Sequence, residues 1–340
     1  MTGERVGAIG EQALIRAIRA RIAAGPHDGV LLGPGDDAAL LACAAPLAWT
    51  LDCVTAGVDW FPDRTPAEAI GHRAAVVNLS DLAAMGATPK WLLLGLELDP
   101  ATPVATILRG IDGLVAAASA AGAAVVGGDV GFRSGPDAWT ATALGAALGM
   151  PLRRDAARPG DRVWLVGPVG LAGLGLATLQ RDDLNAPSWQ ERALSAHFWP
   201  RPRVSAGIAL AATGQRTAAI DVSDGLLLDA ERVAEASGVR LTLDVDPTPW
   251  FDDDARREAE TGGFDWRAAI AAGGDDYALL VTAAADRDVA QESGVEACWP
   301  VGRVLAGAGV ELRVAGEAYL GPSGGYLHGG SRLVGDGGSR

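Results

Sequence analysis

The residues of this chain that could do chemistry are acidic, and they stand beside glycines or directly after apolar runs: Asp36-Asp37, Asp52, Asp81, Gly128-Asp129, Asp221-Val222-Ser223-Asp224-Gly225 and Gly274-Asp275-Asp276. One Asp next to a Gly ordinarily makes a turn or caps a helix. As a set they say more. Trp49 to Leu51, Val125 to Val126 and Ala218 to Ile220 are strand-like runs that lead into Asp52, Gly127-Gly128-Asp129 and Asp221, and strand ends are where α/β folds bind ligands. Asp81 falls in step with Ile70, Ala74 and Val77 at i, i+4, i+7, i+11, so a helix there carries this carboxylate on its apolar face, with Asn78 beside it. A buried anion needs a partner. Two carboxylates ~4 Å apart repel by about 4 kcal/mol at an effective dielectric of about 20, so a converging set calls for cations. All-oxygen ligands select hard ions, Mg²⁺ or Mn²⁺, and such ions commonly also hold nucleotide phosphates. The pattern points to a metal-dependent nucleotide enzyme.

Other phosphate devices are missing. No GxxxxGK[ST] loop occurs and Lys90 is the sole lysine, which excludes a P-loop or protein-kinase lysine. Arg154, in Arg153-Arg154-Asp155, is either a phosphate clamp or half of a surface salt bridge. His27, His72, His197 and His328 have no metal spacing, and no Cys or Ser nucleophile arrangement is present. Ser223 reads as a helix cap or a phosphate-contacting hydroxyl. The matching Gly-Asp-Asp segments at 35–41 and 274–280 are too short to define a repeat.

The elements that must position these residues follow from the hydrophobic pattern. Leu14, Ile18 and Ile22 predict an opening helix over about 8–24. Thr65-Pro66-Ala67-Glu68 has capping-box spacing with Pro at the first helical position, and Gly86 closes the pattern, predicting a helix over about 66–85. Trp91 to Leu98 reads as a strand, Thr102-Pro103 caps an Ala-rich helix to about 121, Ala123 to Val126 is a short strand ending at Gly127-Gly128-Asp129, and Trp139 to Leu148 is a further strand. After the polar segment Pro151 to Arg162 the alternation restarts: strand Val163 to Val166, helices to about 213, strand Thr217 to Ile220, a helix to about 236, strand Arg240 to Asp244, a Trp- and Asp-rich loop, strand Tyr277 to Thr282, a helix and two short strands. The expected organisation is a mixed α/β chain with domains at 1–150 and 151–330 and a frayed Gly-rich tail at 331–340.

Composition bounds the function. At ~150 residues per domain, 340 residues make about two domains; 49% hydrophobic and 21% charged residues are ordinary for a globular protein. The net charge of −14 repels phosphate backbones and anionic lipid, so neither nucleic acid nor a membrane is expected as partner. Cys43, Cys53 and Cys298 fit neither a disulfide framework nor a zinc site. Glu4, Glu11, Arg16 and Arg19 interrupt any secretory core, and no apolar run reaches the ~18 residues of a membrane span. The expected location is the cytoplasm.

In order along the chain, Gly33-Pro34-Gly35-Asp36-Asp37, the Asp52 segment, Val77-Asn78-Leu79-Ser80-Asp81-Leu82-Ala83-Ala84-Met85-Gly86-Ala87, Gly127-Gly128-Asp129, the segment from Arg154 to Asp161, Ile220-Asp221-Val222-Ser223-Asp224-Gly225, Gly273-Gly274-Asp275-Asp276-Tyr277 and Gly325-Tyr326 resemble the motifs of thiamine-monophosphate kinases. The resemblance runs from about residue 5 to 328. It implies the two-domain fold of the AIR-synthetase-like (PurM-like) superfamily, in which the N-terminal domain pairs across a homodimer barrel and a C-terminal α/β domain covers the nucleotide cleft. It implies ATP-dependent phosphorylation of thiamine monophosphate to thiamine pyrophosphate with several Mg²⁺ ions. Matched by position, Asp37, Thr50, Asp52, Asp81, Asp129, Asp221 and Asp224 would ligate Mg²⁺. Gly128, Asp129, Arg154 and Ser223 would contact ATP, Asp129, Arg154 and Asp224 would serve catalysis, and Asp59, Asp275 and Tyr326 would meet the substrate.

The chain departs from the family pattern at three positions. Asp59 stands where His is frequent, Asp275 where Glu is usual, and Leu51 where a Thr metal ligand is common. The alternatives are another ATP-using enzyme of the superfamily, or a homologue that binds nucleotide and metal without turnover. Selenophosphate synthetases carry an early reactive Cys or selenocysteine and a Lys, and hydrogenase-maturation relatives end in Cys, features this sequence lacks.

Overall fold

The computed structural model describes residues 4–22, 28–32, 39–181 and 188–321. Its first half contains α1 (Val6–Ile9), α2 (Glu11–Ile22), β1 (Val30–Leu32), β2 (Leu40–Leu41), β3 (Leu47–Thr55), α3 (Ala67–Ala84), β4 (Thr88–Leu98), α4 (Val104–Ala120), β5 (Ala124–Phe132) and β6 (Ala138–Ala146). β3, β6, β4 and β5 form a four-stranded sheet in that order, antiparallel except for the parallel β4–β5 pair. Strict alternation along β3 governs the site. Trp49, Leu51 and Cys53 lie on the exposed face, while Thr50, Asp52 and Val54 turn inward toward α3.

α3 is buried along most of its surface, because it is wedged between this sheet, α4 and the second half of the chain. Gly71 makes that possible: a Cβ there would sit 1.8 Å from the Gly110 carbonyl oxygen of α4. The predicted capping box does not form. Pro66 is the N-cap and makes no side-chain bond, Thr65 Oγ1 accepts from the Phe61 N–H (3.1 Å), and Glu68 pairs with Arg109 (2.7 Å). Proline fixes the helix entry by its backbone geometry, which leaves both side chains to other partners.

The second half contains β7 (Arg162–Val166), α5 (Leu171–Arg181), α6 (Ser188–Phe198), α7 (Val204–Ala212), β8 (Ala218–Asp221), α8 (Leu226–Ser237), β9 (Arg240–Val245), α9 (Asp253–Thr261), α10 (Trp266–Ala272), β10 (Leu279–Ala283), α11 (Val289–Ser293), β11 (Cys298–Leu305), β12 (Gly309–Val314) and β13 (Glu317–Ala318). Its strands make a seven-stranded sheet ordered β13-β12-β9-β11-β7-β10-β8. One face packs on Trp189, Leu226 and Ile270; the other packs on α7 and on Ala83 and Ala84 of α3. α3 therefore belongs to both cores.

Three further expectations need correction. The opening helix is interrupted at Gly10, whose φ of 76° separates α1 from α2. β5 does not stop at Gly127-Gly128-Asp129 but runs through it to Phe132. The Trp- and Asp-rich loop holds α9 and α10, N-capped by Asp252 and Asp265, which accept from the Ala255 and Ala268 N–H groups.

Candidate functional site

The site forms where α3 crosses the end of the seven-stranded sheet. Val166 and Asp221, the last residues of β7 and β8, both pair with Leu279 at the start of β10, so the segments following Val166 and Asp221 and the one preceding Leu279 gather on one edge. Backbone bonds join two of them: Asp275 N donates to Ser223 O (2.8 Å) and Tyr277 N to Val222 O (2.9 Å). Gly274, Asp275 and Tyr277 have φ of 67°, 59° and 50°. Left-handed backbone in non-Gly residues costs about 1–3 kcal/mol each and clusters at functional sites.

From the other side, α3 and β3 contribute a carboxylate pair. Thr50 Oγ1 donates to Asp81 Oδ2. Burial, the Asp81 charge, a hydrogen bond with Asp81 and the Asp224 charge all push Asp52 up, to about 7. Asp221 also rises to about 7, by burial and the Asp81 charge, against the Ser80 hydroxyl that donates to its Oδ2 (2.8 Å) and the Arg154 charge. Asp81 thus lies between Asp52 and Asp221, half-buried on α3. Oxygen donors with uncompensated repulsion fit a hard divalent cation. Among the described residues no three Asp, Glu, His or Cys side chains converge closely enough to enclose one. Asp37 lies outside the described residues, as does Tyr326.

Asp224 is held by residues that no motif pointed to. Arg232 Nη2 pairs with its Oδ2 (2.6 Å) and Arg232 Nη1 with Asp229 Oδ1 (2.6 Å), while Asp229 Oδ2 accepts from the Ser223 and Asp224 N–H groups (3.1 Å each). Burial raises Asp229 to about 6 despite Arg232. The i, i+3 spacing of Asp229 and Arg232 on α8 was the available signal. Arg154 is exposed in a short 3-10 turn, Arg154–Ala156.

Gly128 sits in the strand row Asp52–Ala141–Leu94–Gly128, and a Cβ on it would meet the Leu94 carbonyl oxygen at 2.0 Å, so only glycine fits. Asp129 stands in the adjoining row with Gly95, Thr140 and Cys53. It is exposed, and no described contact joins it to the other carboxylates. Leu51 is 63% exposed on the outer face, so its departure from the family pattern leaves the Asp52–Asp81 side untouched.

A second cluster lies beside the first. Arg73 of α3, 4% exposed, pairs through Nη1 with Asp275 Oδ2 (2.7 Å) and donates from Nη2 to His197 O (2.7 Å), while Tyr277 OH donates to Asp275 Oδ1 (3.0 Å). Burial opposes ionisation of Asp275, but the Arg73 charge prevails and holds it below the ordinary carboxylate value. Asp59, which accepts from the Thr55 N–H (2.6 Å), acts on Arg73 as well. Asp59 and Asp275 are thus joined through Arg73, a residue the motifs did not flag because an arginine inside a helix reads as surface.

Burial and the Arg73 charge depress His197 to about 4, against Asp275. Unfolded chains protonate this imidazole near 6.5, so its contribution to stability is complete above about pH 6.5 and is lost as pH falls toward 4, by up to about 3 kcal/mol. Asp52 and Asp221, raised in the fold, act in the opposite sense over about pH 4–7. The difference between wild type and His197→Gln isolates the imidazole: in thermal melts over pH 5–8, the gap should change with pH below about 6.5 and stay flat above it. A constant gap would exclude a buried neutral His197.

The two halves match the N-terminal domain (residues 35–149) and the C-terminal domain (158–315) of AIR synthase related proteins. Thiamine-monophosphate kinase of Salmonella typhimurium is 36% identical over 279 residues, 81% of this chain and 83% of that one. The solved thiamine-monophosphate kinase of Stenotrophomonas maltophilia is 38% identical and superposes with a TM-score of 0.74 over 90% of this chain and 96% of that one. The AaThiL structure complexed with AMPPCP and TMP is 25% identical, with a TM-score of 0.70 over 94% and 99% of the two chains. The chain belongs to the thiamine-monophosphate kinase family and is a kinase.

Proposed function

We propose that this chain transfers the γ-phosphoryl group of ATP to thiamine monophosphate, giving thiamine pyrophosphate and ADP. The observation that carries the reading is the carboxylate pair Asp52–Asp81 set against Asp221 and Asp224 where α3 crosses the sheet edge, in a chain whose relative AaThiL was solved with AMPPCP and TMP. A phosphate monoester is largely ionised near neutral pH, so its oxygen attacks without a general base, in keeping with the neutral, buried His197. The protein's task is then positioning and charge compensation.

Asp37, Thr50, Asp52, Asp81, Asp129, Asp221 and Asp224 are the proposed ligands of several Mg²⁺ ions, which when bound neutralise charge on the transferring phosphoryl group. Gly128 contacts ATP through its backbone, Ser223 and Arg154 contact its phosphates, and Arg232 fixes Asp224. Asp59, Asp275 and Tyr326 contact thiamine monophosphate. The test supplies ATP, Mg²⁺ and thiamine monophosphate to purified protein, with thiamine as control. Equal formation of ADP and thiamine pyrophosphate supports the reading, and ATP binding without thiamine pyrophosphate rejects it.

We assign the domains to 1–150 and 151–330. Among the described residues no helix is long and apolar enough to cross a membrane, and we place the protein in the cytoplasm. We further propose a homodimer through the outer face of the four-stranded sheet, where Trp49 (72% exposed), Leu51 and Leu93 present apolar surface. Leu51→Asp should convert a dimer to a monomer in light scattering after size exclusion; a dimer unchanged by this substitution would reject the face.

A further inference from the structure

Arginines near the cleft are mostly satisfied by carboxylates: Arg73 by Asp275, Arg232 by Asp224 and Asp229. Arg203 is not. It stands at the N-cap of α7, where the chain arrives from α6, and its side chain makes no hydrogen bond or ion pair among the described residues. Its Nε is buried without a partner. The guanidinium packs against Gly167, the residue that follows β7: a Cβ there would fall 2.4 Å from Nε and 2.7 Å from Cζ and Nη2. Gly167 also has a φ of 101°, so both its conformation and the space above it suit glycine.

Gly167 belongs to the same sheet edge as Asp221 and the Asp275 segment. The next carboxylate along, Asp276, is spent on the N-terminus of α5, accepting from the Gly170 (2.6 Å) and Ala172 (3.1 Å) N–H groups, and acts on Arg203 only through its charge. Burial and the neighbouring Arg201 both work against the Arg203 charge. A half-buried guanidinium without a counter-ion is unfavourable in the ligand-free protein. Its planar fork suits a phosphate.

We propose that Arg203, seated on Gly167, is a recognition residue for the phosphate group of the acceptor substrate. The acceptor is favoured over ATP because Arg203 adjoins Asp276, next in sequence to Asp275, on the side of the Arg73–Asp275–His197 cluster, whereas Arg154 acts on Asp221. The inference rests on the assignment of thiamine monophosphate as acceptor.

Arg203→Gln should raise KM for thiamine monophosphate by about 10-fold or more while KM for ATP stays within about two-fold, and Arg203→Lys, which keeps the charge but not the fork, should fall between. The melting temperature of ligand-free Arg203→Gln should equal or exceed that of wild type, since an unpaired charge is removed. Binding without turnover supplies an independent reading. By calorimetry wild type should prefer thiamine monophosphate to thiamine, and Arg203→Gln should lose most of that preference.

Wild-type KM and wild-type preference in the variants would overturn the proposal, and so would a lowered melting temperature with equal loss toward both substrates, which marks a structural role. Wild-type protein that binds thiamine monophosphate but transfers nothing to it would reject the kinase reading instead, leaving the calorimetric comparison to decide Arg203.

Discussion

Asp81→Asn is expected to lower kcat by about 10²–10³-fold while leaving the fold intact. The carboxylate accepts from Thr50 and repels both Asp52 and Asp221, so its negative charge is a burden in the ligand-free protein and an asset only once cations are present. An amide oxygen still accepts the Thr50 hydrogen bond. The variant should therefore melt at the wild-type temperature or above it without metal, and should gain less than wild type when Mg²⁺ is added. Steady-state kinetics with Mg²⁺ titration, paired with melting curves with and without the ion, checks both halves. Wild-type turnover in a folded variant would remove Asp81 from the site.

Arg73→Met is expected to act first on stability, by about 2–3 kcal/mol, because breaking a buried ion pair from one side leaves the other charge uncompensated. Asp275 would retain Tyr277 but lose the guanidinium, and His197 O would lose its donor. Asp275→Asn in the Arg73→Met background should restore part of the loss, giving a coupling energy of about 1–3 kcal/mol in a double-mutant cycle. Because α3 joins both cores, the damage should also loosen the seating of one domain on the other, read as faster proteolysis between residues 147 and 161. Additive effects of the two substitutions would refute the coupling.

How far the sequence led depended on whether a residue's local role matched its tertiary one. α3 and α4 were legible because proline at their starts and an uninterrupted apolar pattern agree with what the fold asks of them. Asp81 was legible for the same reason: it is half-buried on the strip it shares with Val77, which packs against the N-terminal core. β5 was cut short because Gly127-Gly128 reads as punctuation, whereas in the sheet Gly128 is demanded by the Leu94 carbonyl of the neighbouring strand. α9 and α10 were missed because Asp serves turns and N-caps alike, and nothing local separates the two uses at Asp252 and Asp265. Arg73, Asp229, Arg232 and Ser80 take their meaning from partners elsewhere in the fold, Ser80 from one 141 positions away. No window of local sequence contains that information.

Among the described residues β3 is an edge strand, bonded to β6 alone, and it carries Thr50 and Asp52 on one face and Trp49 and Leu51 on the other. Whatever covers its outer face therefore also restrains the peptide units that aim its inner one. If a second copy provides that cover, specific activity should cease to be a constant of the protein and instead fall on dilution below the dissociation constant of the pair, with Leu51→Asp showing the diluted value at every concentration. Assembly would then act as a rheostat on the site.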